Sequence, residues 1–170
     1  MTDDKQCHAG KNLHIDLGFV WGSDWNCKDN DGKLVTSLDK YWSYLLVIDC
    51  CTRYIWIYLT KTKIPPISMG DKLNTIFSTE RHLSKVTTDQ GGELGRSYYF
   101  INLIDKYGFI LTTTGVYSSA QNDMAKKPDK DLAQIMCSFF FSAGLNCQFW
   151  SHALHHAVYL KNWWHHITLN

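Results

Sequence analysis

The chain has 170 residues, 45% hydrophobic and 19% charged, enough for one domain with a buried core and too apolar for compositional disorder. Seventeen Lys and Arg against sixteen Asp and Glu leave +1, which excludes a uniformly basic nucleic-acid coat. Any nucleic-acid role must therefore come from a local patch or from metal ions. The acidic start lacks the apolar segment of a signal peptide. No apolar run reaches the roughly 18 residues a membrane span needs. A soluble intracellular domain with no membrane partner is expected, in the cytoplasm, the nucleus or both.

In chain order, residues 14–19 read as a short apolar strand interrupted by Asp16. The following polar and aromatic stretch holds Asp29-Asn30-Asp31-Gly32, which is turn chemistry. It lacks the alternating ligands and acidic twelfth residue of a calcium loop. Trp21, Trp25, Tyr41 and Trp42 crowd this region. Core or sheet-edge packing is expected of them before base stacking or an oligomer surface. Residues 44–49 and 54–59 are dense in Leu, Val, Ile, Trp and Tyr and read as two paired strands.

Pro65-Pro66 closes this block. Ser68 and Asp71 then resemble a capping signature ahead of Met69, Leu73, Ile76 and Phe77 at helical spacing. Residues 85–88 form a short strand ending at Asp89-Gln90-Gly91-Gly92. A helix follows from Ser97, with Phe100, Leu103, Ile104 and Tyr107 on one face and Gly108 at its end. Residues 109–113 read as a fifth strand. Leu132, Ile135, Met136, Phe139 and Phe140 then form a helical stripe that ends before Gly144, and Asn146 can cap a last helix. Three meandering strands followed by alternating helix and strand predict a mixed sheet with helices on its faces.

Six cysteines contain no C-x-x-C pair, and Cys50 and Cys51 are adjacent, so buried reduced thiols are expected. Eight histidines include the neighbours His155-His156 and His165-His166. Adjacent helical side chains diverge by roughly 100° and do not readily share one zinc ion.

Two carboxylates sit where a mixed sheet places active sites: Asp16 inside the first strand and Asp89 at the end of the fourth. If those strands are neighbours, both side chains reach one rim within range of a shared divalent cation. An acid in an apolar strand is costly unless paired or metal-bound. By residue type alone the plainer reading carries more weight: Asp16 faces solvent and Asp89 starts a turn.

Longer motifs shift that balance. Residues 13–17 read Leu-His-Ile-Asp-Leu, 44–56 read Tyr-Leu-Leu-Val-Ile-Asp-Cys-Cys-Thr-Arg-Tyr-Ile-Trp, and 87–93 read Thr-Thr-Asp-Gln-Gly-Gly-Glu. Residues 118–125 read Ser-Ser-Ala-Gln-Asn-Asp-Met-Ala, and from Phe149 the chain continues Phe-Trp-x-x-Ala-x-x-x-Ala-Val-Tyr-Leu-x-Asn to Asn162. In this order and spacing they resemble the integrase catalytic core of copia-type LTR retrotransposons. The resemblance implies an RNase H-like α/β fold with a five-stranded mixed sheet flanked by helices. It divides the chain into an extension (1–12), a core-like domain (13–162) and a tail (163–170). The family's N-terminal zinc-binding module is not recognisable in these residues, and a core-only fragment is expected.

The resemblance also implies polynucleotidyl transfer at DNA ends by an acidic triad holding two Mg²⁺ or Mn²⁺ ions. Asp16 and Asp89 match the two aspartates. The family's glutamate stands in Gln-Asn-Gly-x-Ala-Glu-Arg, which here reads Gln121-Asn122-Asp123-Met124-Ala125-Lys126-Lys127. Lys126 therefore occupies the glutamate position, with residues 90–125 intervening after Asp89. That exchange removes an oxygen ligand and adds a charge that repels a cation by about 4 kcal/mol at ~4 Å and an effective dielectric of ~20. A weakened metal site and impaired integration are expected.

Asp123 and Asp129 lie three residues either side of Lys126, roughly on its helical face. A one-turn offset of about 5 Å makes either a poor substitute. Pro128 either interrupts this helix or opens it, and in the second case position 126 lies in the preceding loop. Gln121, Asn122, Lys127 and Lys130 are the expected nucleic-acid contacts, although the lysines equally suit a solvated face. DNA and a homodimer or higher oligomer are the implied partners. The rival reading is a non-enzymatic DNA-docking or oligomerisation module derived from such a core.

Overall fold

The computed structural model describes residues 9–22, 32–62, 71, 85–89, 94–113 and 119–163, with only the helical backbone described over 119–126. Three strands form an antiparallel meander: β1 (Asn12–Gly18), β2 (Ser43–Asp49) and β3 (Ile55–Thr60). Two more, β4 (Lys85–Thr88) and β5 (Ile110–Thr113), add in parallel beyond β1. The sheet order is β3-β2-β1-β4-β5, the mixed five-stranded arrangement expected. Every residue of β2 is buried, which accounts for its nearly unbroken apolar run.

Helices cover both faces. Helix α1 (Tyr98–Lys106) lies on one side, where Phe100, Leu103 and Ile104 pack with Leu13, Ile15, Leu45, Val47 and Val86. Ser97 caps it by accepting from the Phe100 N–H, and Gly108, at φ +70°, provides the left-handed turn that ends it. On the other side lie α2 (Ser119–Ala143) and α3 (Trp150–Trp163). Leu132, Met136 and Phe140 meet Trp150, Leu154, Ala157, Tyr44, Leu46 and Ile48 there. The Trp150 indole N–H donates to the Val35 carbonyl at 2.9 Å, and Lys161 of α3 pairs with Asp131 of α2 at 2.6 Å. Asn146 caps a 3-10 turn (Cys147–Phe149) that leads into α3, by accepting from the Gln148 N–H.

The sequence expectations shift at their edges. The first strand begins at Asn12 because that residue already pairs with Lys85 of β4. The third starts after Tyr54, since residues 50–54 turn about Asp49. This buried carboxylate accepts from the N–H groups of Gly10, Cys51 and Thr52 and from the Thr52 hydroxyl at 2.6 Å. The turn also puts Cys50 and Cys51 outside the strand. The expectation of buried reduced thiols holds in part: Cys50, Cys51 and Cys137 are reduced, but the first two are half-buried and the third is exposed, while Cys147 is disulfide-bonded; Cys7 and Cys27 lie outside the described residues. Tyr41 packs against the core and the Trp42 indole N–H donates to the Lys61 carbonyl, so both serve the sheet edge. Trp25, and the helix expected over 68–77 apart from Asp71, lie outside the described residues. Among the described residues no helix is long and apolar enough to cross a membrane.

Asn162, near the end of α3, caps the β3 edge of the sheet. Its carboxamide accepts from the Ile55 N–H and donates to the Ile55 carbonyl, each at 2.8 Å, imitating one rung of a missing strand. Asn162→Ala leaves both backbone groups without that partner. We expect a loss of about 1–3 kcal/mol in urea unfolding with an unchanged m-value.

Candidate active site

The ladder between β1 and β4 decides what meets on the sheet. Asn12 pairs with Lys85, Leu13 with Val86 and His14 with Thr87. Carried two residues further, this register sets Asp16 beside Asp89, on strands about 4.8 Å apart. Side-chain alternation fixes the face. Leu13, Ile15 and Val86 point into the α1 core, so His14, Asp16 and Gly18 point the other way, toward α2. Continuing the alternation of β4 carries Asp89 to that same face. Asp16 is half-buried and accepts from the Leu17 N–H at 2.8 Å, whereas Asp89, just past the strand, is exposed.

Two neighbours that residue type alone does not mark as site residues, His14 and Tyr44, share this face. His14 is 5% exposed and, among the described residues, its Nε2 makes no hydrogen bond. Burial lowers its pKa from the ordinary histidine value while the charge of Asp89 acts weakly the other way, which favours neutral imidazole. Tyr44 pairs with Gly18 across the β1–β2 ladder and lays its ring over that residue, where a Cβ would strike it. Its hydroxyl donates to Asp129 of α2 at 2.7 Å. Burial, then the charge and hydrogen bond of Asp129, then the charge of Asp16 push the Tyr44 pKa well above the ordinary phenol value. Burial also raises the pKa of Asp129, partly opposed by the bond from Tyr44. Period-two alternation from Asp16 would have pointed to His14. No local signal joins Tyr44 to Asp129.

Helix α2 begins at Ser119, so position 126 lies within it and Pro128 is interior. Lys126 and the expected nucleic-acid contacts Gln121 and Asn122 belong to this first part of the helix; their side chains lie outside the description, as does that of Asp123. Lys127 and Lys130 are exposed. Asp129 is turned toward the sheet and engaged by Tyr44. Among the described residues no three His, Cys, Asp or Glu side chains converge as metal ligands. Asp16 and Asp89 nevertheless suit a divalent cation: two hard oxygen donors level on one face, beside a buried imidazole nitrogen with no partner.

Asp129 carries a testable cost. A carboxyl whose folded pKa is raised lowers stability above that pKa, and the penalty is relieved as pH falls through it. Tyr44→Phe removes the donor that offsets the penalty. We expect it to lose about 1–3 kcal/mol at pH 7, measured by urea unfolding, and progressively less as pH falls through the raised pKa of Asp129.

No protein-family model matches the chain. It is similar to retrovirus-related Pol polyproteins of plant transposons. That of transposon TNT 1-94 from Nicotiana tabacum is 27% identical over 126 residues, 73% of this chain and 9% of the relative. Those of RE2 and RE1 from Arabidopsis thaliana are 23% and 24% identical over 150 residues, 86% of this chain and 10% of each relative. The chain thus spans about a tenth of the length of these relatives. A chain in the cryo-EM structure of the simian T-cell lymphotropic virus intasome in complex with PP2A regulatory subunit B56 gamma superposes with a TM-score of 0.61. It is 13% identical, and the match covers 90% of this chain and 48% of that one. The five-stranded mixed sheet with its flanking helices is an RNase H-like α/β fold.

Proposed function

We propose that the chain is an integrase-like, nucleic-acid-binding domain of the copia type whose capacity for DNA strand transfer is impaired by Lys126. The observation that carries this reading is the β1–β4 register, which brings Asp16 level with Asp89 on the face covered by α2. Similarity to Pol polyproteins and the fold shared with an intasome chain support it.

Asp16 and Asp89 would hold Mg²⁺ or Mn²⁺, which when bound supplies Lewis-acid stabilisation of charge on a phosphate. The chain's own residues set how well that works. Lys126 offers an ammonium where a third carboxylate would complete the donor set. Asp129, one turn along, already accepts a hydrogen bond from Tyr44. The exposed Lys127 and Lys130, with Gln121 and Asn122, would contact DNA phosphates and hold the duplex without reading its sequence. The domain would act inside the cell, in cytoplasm or nucleus, where DNA is reached.

One observation favours the assembly reading beside this one. Ring contacts run His156–Tyr159–Trp163 along α3, with Tyr159 55% and Trp163 76% exposed. Such a surface suits a homodimer or higher oligomer, and sedimentation of wild type against Trp163→Ser tests it.

Two measurements test the main reading. Strand transfer with Mn²⁺ should be undetectable for the wild-type chain and appear in Lys126→Glu; robust wild-type activity overturns the impairment. DNA affinity should fall with salt, and Lys127→Ala combined with Lys130→Ala should reduce the log–log slope by about two. An unchanged slope removes these lysines from the interface.

A further inference from the structure

His14 is the one buried polar group on the Asp16–Asp89 face whose ring nitrogen has no hydrogen-bond partner among the described residues. It stands two residues before Asp16 on β1, and its partner on β4, Thr87, stands two before Asp89. The imidazole and both carboxylates therefore share one face of two adjacent strands. Its flanking neighbours across the ladders are Ile48 and Thr87, and neither supplies a bond to Nε2. A histidine kept only to fill the core would be expected to satisfy both ring nitrogens. This one keeps Nε2 in reserve beside two acidic side chains.

We propose that His14 is a nitrogen ligand to a divalent ion held between Asp16 and Asp89, so that this chain prefers an ion accepting mixed nitrogen and oxygen donors, such as Zn²⁺, over Mg²⁺. The inference rests on the two-aspartate reading above and adds the donor that sets ion preference. The chemistry follows from donor type. Carboxylates alone suit hard cations such as Mg²⁺, while an imidazole shifts a site toward the later first-row metals and zinc. A nitrogen donor also supplies a third ligand without the added negative charge of the missing carboxylate. Among the described residues the three groups do not converge as ligands, so His14, Asp16 and Asp89 would have to rotate their side chains to hold an ion together.

The test is binding of Zn²⁺ and Mg²⁺, each alone, to the whole chain, read by thermal shift and by the ¹⁵N resonance of the His14 imidazole. Zn²⁺ should raise the Tm and move the His14 Nε2 resonance at concentrations where Mg²⁺ does neither. Removing even an outer partner of a metal ligand costs 10–100-fold in affinity, so His14→Gln should weaken Zn²⁺ by about tenfold or more. The same variant should leave the weaker Mg²⁺ response intact, and Asp16→Asn should abolish both. The resonance readout uses the unaltered chain and does not depend on the variant folding. An unmoved Nε2 resonance, or Zn²⁺ affinity unchanged in His14→Gln, overturns the role of His14. In either case a Mg²⁺ response lost in Asp16→Asn leaves the two-aspartate reading standing. Zn²⁺ binding at His14 that survives Asp16→Asn overturns both.

Discussion

The parallel ladder between β1 and β4 is the contact on which the remaining chemistry depends. Parallel strands cannot be joined by a tight turn, so this pairing unites segments 73 residues apart in sequence. Its register is pinned from the α1 side, where Leu13, Ile15 and Val86 are buried together. A slip of one residue would drive those side chains out of the core and turn Asp16 into it. Apolar packing on one face thus fixes the acidic pair on the other.

Helix α2 meets this face through a sequence of small accommodations. Gly18 leaves room for the Tyr44 ring, Tyr44 reaches Asp129, and Asp129 fixes the helix one turn beyond Lys126. Pro128 sits between them and has no N–H to give to the carbonyl four residues earlier. The first half of α2 therefore relies less on its own ladder and more on the bond from the sheet. A phenol is a suitable anchor for a desolvated carboxylate because burial and the charge of Asp129 both hold its proton in place as the donor.

Much of the fold was legible because its signals are local. Alternation and apolar density located all five described strands to within two residues at each end. Ser97 and Gly108 marked the limits of α1, and the stripe from Leu132 to Phe140 marked the buried side of α2. Asp16 and Asp89 were recognised as candidates from motif and type, but their level placement needed the register. Whether position 126 lay inside the helix was undecided, since Pro128 fits both an interior kink and a first turn. The Tyr44–Asp129 and Asn162–Ile55 bonds join residues 85 and 107 positions apart, and no local pattern encodes such pairs. His14 carries no strong local signal, because a histidine in an apolar strand resembles any other core residue until its partners are known.

The pairing of Asn162 with Ile55 has a consequence beyond the stability of one rung. Strand β3 is one of the two outer strands of the sheet, and an open outer strand is a template on which another extended chain can grow. A carboxamide that takes up both the donor and the acceptor of Ile55 denies an incoming strand its first two bonds. Shortening the last helix before this residue would thus trade a capped edge for one inclined to recruit foreign strands. In this respect the C-terminal turn of α3 acts as a guard against aggregation as much as a support for the core.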